Sequence, residues 1–315
     1  MFETSTFGRT GFEVTKLCVG TSSWGTPRSG ESTIDSDTRV AEMAAAFATG
    51  TLPLNFLDTS NIYGDSRSEA LIGGALAAAN GLADGLVIQT KLDRDVLSND
   101  FSGDRMWRSL EESLERLGVD HLQVLHLHDP ENIGFEAAMA PGGPVEALVA
   151  MKEQGIVSAI GISGGPVSML QQFVETDHFD ALVTHNRFTL VDRSAGPLFD
   201  AATSRGVGIT NAAPWGAGVL TGDPRFADSY GYRPITPEVR ASVAAMRDLC
   251  DDAGVTLSAA ALQFSLRDPR VHSTIVGVST LGRLKTALAE ATVSIPTGLW
   301  ADLDAVAPQG FALDA

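Results

Sequence analysis

The chain has 315 residues, 44% of them hydrophobic and 19% charged, with a formal net charge of −17. That balance suits a globular protein with a sizeable core and argues against nucleic acid or an anionic membrane surface as a partner, because both select cationic surfaces. No apolar run approaches the ~18 residues of a membrane-spanning helix, and any phosphate-bearing cofactor would need a locally basic pocket.

The opening MFETSTFGRT lacks the basic-then-apolar order of a secretory signal, which predicts a cytoplasmic location. Residues 4–15, TSTFGRTGFEVT, alternate apolar and polar around Gly8 and Gly11 and predict a β-hairpin. From Leu17 a strand-then-helix rhythm sets in. Eight strand-like runs fall at 17–22, 55–60, 86–91, 121–128, 157–163, 181–186, 206–213 and 272–279. Helical patterns lie between them, at 37–50, 106–118, 145–155, 167–175 and 238–254. In the second of these, Leu110, Leu114 and Leu117 share one face and Gly118 supplies the stop. Such alternation predicts an α/β fold with a parallel sheet covered by helices. Eight units in roughly 250 residues fit a single (β/α)₈ TIM barrel over 1–315 with an N-terminal β-hairpin. A doubly wound open sheet is the alternative. Two connections are long, 24–35 and 214–237, and in a barrel such loops lie on the catalytic face. The tail PTGLWADLDAVAP reads as a short amphipathic helix placed to cover part of the same mouth. Cys18 and Cys250 have no metal-ligand spacing and read as structural thiols, so no metal is expected.

Four titratable side chains leave the ends of successive strands. NFLD ends at Asp58, Tyr63 follows just beyond it, Lys91 closes LVIQTK, and His128 closes VLHLH. Taken singly, Asp58 reads as a loop cap and Lys91 as a surface charge; together with Tyr63 and His128 they read as an assembled site. A tyrosine with a pKa near ~10 is a poor proton donor at neutral pH. A lysine ammonium beside it favours the phenolate, and the expectation is a pKa brought down toward working pH. Asp58 would fix that lysine as an ion pair, and His128 would orient a carbonyl oxygen or relay the proton. The set suits carbonyl reduction and its reverse, alcohol oxidation. No side chain carries a hydride, so a nicotinamide must be bound. No GxGxxG follows a strand, and GISGG at 161–165 is too short. The loop Ser279-Thr280-Leu281-Gly282-Arg283 opens a helix and offers amides, a hydroxyl cap and one guanidinium to a phosphate.

With this residue set in this order, the chain resembles the aldo-keto reductases over nearly its whole length. The resemblance implies a (β/α)₈ barrel with a hairpin closing its bottom, and the catalytic roles fall on Asp58, Tyr63, Lys91 and His128. It further implies cofactor contacts from Thr21, from Ser163 and Asn186 to the nicotinamide amide, and from Ala213, Trp215 and Gly216 in AAPWGAGVLTG to the pyrophosphate. Ser279, Thr280 and Arg283 fall at the adenosine end. The runs DFSGDRMWRSLEESLERLGVD and HDPEN resemble the aldose 1-dehydrogenase branch, which implies oxidation of a sugar hemiacetal at C1 to a lactone with Tyr63 as base. An NADPH-linked reductase of aldehydes or ketones, and a cofactor-binding regulatory subunit with little turnover, are the alternatives. At the adenosine end only Arg283 stands where the family's NADP-preferring members place two cations, which implies NAD or dual use of NAD and NADP. The expected partner is a small sugar or aldehyde.

Several other residues have readings of their own. Trp24 and Trp215 lie on mouth loops and are expected to pack on substrate or nicotinamide. His126, two residues before His128, is expected to be a hydrogen-bonded interior residue, and His185 is assigned no role.

Overall fold

The computed structural model describes residues 2–314. The first segment is the expected antiparallel hairpin, Thr4–Thr6 paired with Glu13–Thr15. Eight parallel strands follow: β1 (Leu17–Gly20), β2 (Phe56–Asp58), β3 (Val87–Leu92), β4 (Leu122–His128), β5 (Val157–Gly164), β6 (Ala181–His185), β7 (Gly208–Ala212) and β8 (Ser273–Gly277). Each pairs with its neighbour in chain order, and β8 pairs with both β7 and β1, so the sheet closes. That closure rules out the open doubly wound sheet.

The wall helices are α1 (Thr33–Ala48), α2 (Arg67–Ala78), α3 (Gly103–Leu117), α4 (Pro144–Glu153), α5 (Val167–Val174), α6 (Gly196–Ser204), α7 (Pro237–Asp252), α8 (Leu257–Leu266), α9 (Leu281–Thr292) and α10 (Thr297–Val306). Caps set where they begin. Ser32 and Asp35 form a reciprocal capping box, so α1 starts four residues before the apolar pattern that announced it. Ser102 likewise accepts from Arg105 N and starts α3 at Gly103, while Gly118, in the left-handed region, ends it.

Strand alternation divides the core in two. Leu57, Ile88, Leu125, Leu127, Ile160 and Ile162 point outward and pack with Val40, Phe47, Leu110 and Leu148 of the helices. Phe56, Val87, Val124, Ala159 and Ala181 point inward near the strand starts, where Phe7 of the hairpin plugs the barrel. The plug depends on Gly208, since a Cβ there would come 2.7 Å from the Phe7 ring. With the lower layers apolar and filled, the inward positions at the strand ends are left for polar side chains.

The tail corrects one expectation. Helix α10 packs through Leu299 and Leu303 on Val239, Val243 and Met246 of α7, on the outer wall, and none of its residues lines the mouth. The segment after it does approach the rim: Leu313 lies against Gly231, and Asp314 pairs with buried Arg187 at 2.5 Å. Among the described residues no helix is long and apolar enough to cross a membrane.

Candidate active site

A cavity of about 610 Å³ opens at the strand ends, and Asp58, Tyr63, Lys91 and His128 all line it. A larger depression of about 880 Å³ on the outer wall, between Phe135 and Met169, holds no comparable set of converging groups.

Strand register accounts for the convergence. Asp58 ends β2 opposite Gln89 of β3, Lys91 lies opposite His126 of β4, and His128 ends β4 opposite Ser163 of β5. With period two, Gln89 and Lys91, and likewise His126 and His128, face inward together. Lys91 Nζ donates to Asp58 Oδ1 and Oδ2 at 2.9 and 2.8 Å, to Thr59 O at 2.7 Å and to the Tyr63 phenol oxygen at 3.1 Å. Burial opposes its charge, but Asp58 and Tyr63 outweigh that and hold its pKa above the ordinary lysine value. The ammonium is thus locked beside the phenol.

Tyr63 departs from expectation in direction. Burial raises its pKa above the ordinary tyrosine value; Lys91 pulls it down but does not overcome the loss of solvent. The expected lowering toward working pH is corrected: the phenol keeps its proton, and Lys91 limits the rise.

A second layer supports the first. Gln89 Nε2 donates to Asp58 Oδ2 at 2.8 Å, and its Oε1 lies 3.1 Å from His126 Nε2. Asp58 requires the amide nitrogen, so the amide oxygen faces His126 and Nε2 of that ring carries the hydrogen. Burial first, then Lys91, depress the pKa of His126 well below its ordinary value. As expected, it is a hydrogen-bonded interior residue, and Gly161 on the facing strand makes room for it, since any Cβ there would collide with the ring.

His128 has a carboxylate partner that sequence reading missed. Asp93 Oδ1 lies 2.6 Å from His128 Nδ1, and Ser60 Oγ donates to the other oxygen of Asp93. The period-two pattern contained a signal for it, because Asp93 is two residues past Lys91. The Tyr63 and His128 rings meet edge to face at 5.8 Å between centroids. Further cavity groups unassigned from sequence are Asp129, Glu131, His185 and Tyr232. Glu131 Oε1 accepts from Gly165 N at 3.1 Å, while its buried Oε2 has no partner.

The expected cofactor contacts divide. Ser163, Ala213 and Trp215 line the cavity, and the Trp215 ring is held by an Nε1 bond of 3.0 Å to Ser258 O. Asn186 is fully buried in a left-handed conformation, with Oδ1 unpartnered. Asn186 is not among the residues lining the cavity, whereas the Ser163 hydroxyl and the Trp215 face that do line it suit a nicotinamide carboxamide. Gly216 is buried beside Ala217 and Gly218, which face the cavity. Two expectations are corrected. Thr21 is fully buried and its hydroxyl is committed, donating to Asp58 O at 2.9 Å and accepting from Ser68 Oγ at 2.8 Å. Trp24 does not face the mouth; it is fully buried, and its Nε1 donates to Val278 O at 2.8 Å.

At the start of α9, Thr280 caps the helix by accepting from Arg283 N, and Arg283 is exposed. Ser279 Oγ accepts from Arg28 of the long first loop at 3.1 Å. Burial, then Arg39, Arg283 and Arg225, lower the pKa of Arg28, the mark of crowded guanidiniums. Arg39 and Arg225 have carboxylate partners in Glu31 and Asp223. The single cation counted from sequence, Arg283, is therefore joined by a second, Arg28, which lies 251 residues before the Ser279 it bonds.

Comparison with known proteins agrees with this geometry. The chain is 30% identical over 295 residues to L-galactose dehydrogenase of Arabidopsis thaliana, covering 92% of this chain and 88% of that one. It is 29% identical over 296 residues to D-threo-aldose 1-dehydrogenase of a Pseudomonas species, covering 86% and 88%. Pyridoxal 4-dehydrogenase of Microbacterium luteolum is 25% identical, with 96% of both chains covered. Residues 16–308 match the profile of the Aldo/keto reductase family, and with the closed barrel already described the chain belongs to that family of oxidoreductases.

Proposed function

We propose that the protein oxidises an aldose or similar hemiacetal at C1 to a lactone, using NAD(P), with Tyr63 accepting the hydroxyl proton. The observation that carries this is the Asp58–Lys91–Tyr63 chain ending at a cavity that His128 also faces. A bound nicotinamide would supply the hydride acceptor, and Ser163 and Trp215, which line the cavity, would hold it. Tyr63 first loses its own proton to solvent; Lys91 stabilises the phenolate so formed, which then takes the hydroxyl proton, and His128 steadies the substrate oxygen. Positioned acid–base groups of this kind contribute about 10²–10⁴-fold in rate. Asp129, Glu131 and His185 line the remaining wall and suit a substrate rich in hydroxyls, as do the sugar dehydrogenases among the relatives.

Replacing Tyr63 by Phe should abolish nearly all turnover while leaving nucleotide affinity unchanged. Turnover equal to wild type would overturn the reading. A panel of sugars with NAD⁺ and NADP⁺, followed by nicotinamide absorbance, identifies the substrate. Arg28 and Arg283 together favour acceptance of the 2′-phosphate, so dual use of NAD and NADP is the cofactor reading.

One observation favours a second direction. Because burial holds the Tyr63 phenol protonated, the free site is set to donate a proton, as reduction of an aldehyde or ketone with NADPH requires. Initial rates with sugar plus NAD(P)⁺ against aldehyde plus NADPH separate the two. Tight nucleotide binding with no turnover in either direction would instead indicate a regulatory subunit.

A further inference from the structure

We propose that Asp93 is a positioning residue for this reaction, committing Nδ1 of His128 so that Nε2–H is presented to the substrate oxygen. The inference rests on the proposed role of the cavity and names a residue outside the four. Asp93 lies just beyond the end of β3, with 3% of its surface exposed. Its Oδ1 takes the His128 Nδ1 hydrogen at 2.6 Å, and its Oδ2 accepts from Ser60 Oγ and, at 3.3 Å, from Ile62 N. Its own backbone is anchored as well: Asp93 N donates to Ser109 Oγ at 3.0 Å, and Arg105 Nε donates to Asp93 O at 3.1 Å. The backbone is thus fixed to α3, and the carboxylate cannot swing away from the imidazole without breaking its contacts to Ser60 and Ile62 in the loop after β2.

The charge balance around the ring follows from its neighbours. Asp93 approaches Nδ1, while Asp129 Oδ1 lies 3.6 Å from Nε2, beyond a hydrogen bond, so Nε2 stays available. Lys91, Tyr63, His126, Glu131 and His185 are the other titratable groups around it. Lys91 is neutralised by Asp58, and burial keeps His126 and His185 uncharged near neutral pH. Burial opposes charge on His128, yet Asp93 and then Asp129 reverse the effect and hold its pKa above the ordinary value. Asp93 itself is held below the usual carboxylate range: burial works against this, and His128 and Ser60 outweigh it. Each partner thus favours the charged form of the other, an imidazolium beside a carboxylate, and the pair holds that state to higher pH than a free histidine would. As the C1 hydroxyl gives its proton to the Tyr63 phenolate, the charge developing on the substrate oxygen is met by Nε2–H, and His128 keeps its proton throughout.

The test reads the imidazole directly. In ¹⁵N-histidine NMR spectra of the free protein, with the His128 signal assigned by loss in His128→Gln, both ring nitrogens should still be protonated at the ordinary histidine pKa of ~6.5. A bare nitrogen at that pH, whether Nδ1 or Nε2, overturns the proposal without any variant at Asp93. In Asp93→Asn the His128 pKa should fall by about one pH unit or more. Turnover should drop about tenfold or more, with nucleotide affinity measured by calorimetry unchanged. An unaltered His128 titration in a folded Asp93→Asn protein also overturns it, whereas Asp93→Glu should restore part of the titration. Because the spectra need neither substrate nor nucleotide, retained turnover in Tyr63→Phe would sink the proposed reaction and leave this charge state standing. An ordinary titration of His128 with a dead Tyr63→Phe would sink only the present inference.

Discussion

Lys91 and Asp58 form a two-pronged ion pair, at 2.9 and 2.8 Å, with side chains only 2% and 4% exposed. Such a pair adds little stability relative to an apolar isostere, but removing one member leaves a charge stranded in a medium that solvates it poorly. Asp58→Asn is expected to lower the unfolding free energy by about 3–5 kcal/mol. The double variant Asp58→Leu with Lys91→Met should lose markedly less, because no lone charge remains. Urea unfolding of the two proteins at neutral pH makes the comparison; equal losses would mean that Lys91 is not held as an ammonium.

The direction of the Tyr63 shift fixes a pH profile. With the phenol pKa raised by burial and only partly lowered by Lys91, oxidation should accelerate continuously across the alkaline range. Reduction should fall first where His128 loses its Nε2 proton, above the ordinary histidine range, and again where the phenol begins to ionise. Lys91→Met removes the lowering influence and should push the alkaline rise to still higher pH. A rise that stays in place in that variant would remove Lys91 from the role given to it.

His185 gives a stability window of its own. Burial first, and then Arg187, lower its pKa to about 4. The unfolded chain takes up this proton near ~6.5, so the contribution is fully present above that pH. It is lost as pH falls through the window down to about 4, where the folded state binds the proton too. His185→Gln should therefore lose less stability on acidification across that range. Parallel acid-denaturation curves for the two proteins would contradict the assignment.

Arg28 tests the nucleotide end. Arg28→Ala should weaken NADP⁺ roughly tenfold, as for loss of a charged hydrogen bond, and NAD⁺ much less. Titration calorimetry with each nucleotide gives the ratio. Equal weakening of both would move Arg28 from the 2′-phosphate to the pyrophosphate or to a structural role.

The barrel was legible because its apolar rhythm repeats, and the strand ends carried Asp58, Tyr63, Lys91 and His128 in order. What stayed hidden depends on how the loops fold. Trp24 looked like a mouth residue from its position, but its indole finds Val278 O beneath the loop. The Arg28–Ser279 contact joins opposite ends of the chain and leaves no local signal. The raised phenol of Tyr63 is a matter of degree: sequence names the neighbouring ammonium, whereas burial, which outweighs it, is known only once the barrel is closed. Asp93 was within reach, since the strand period already pointed it inward.

The Gln89 amide sets a terminus for the hydrogen-bonded chain that begins at Tyr63. Its nitrogen is bound to Asp58 and its oxygen to a His126 ring kept neutral by burial, with Nδ1 of that ring facing no donor. A relay running down the barrel axis would stall there, for want of an acceptor beyond it. Protons exchanged by the phenol must then pass outward to bulk water, so anything that seals the rim during turnover also governs when the site can re-equilibrate with solvent.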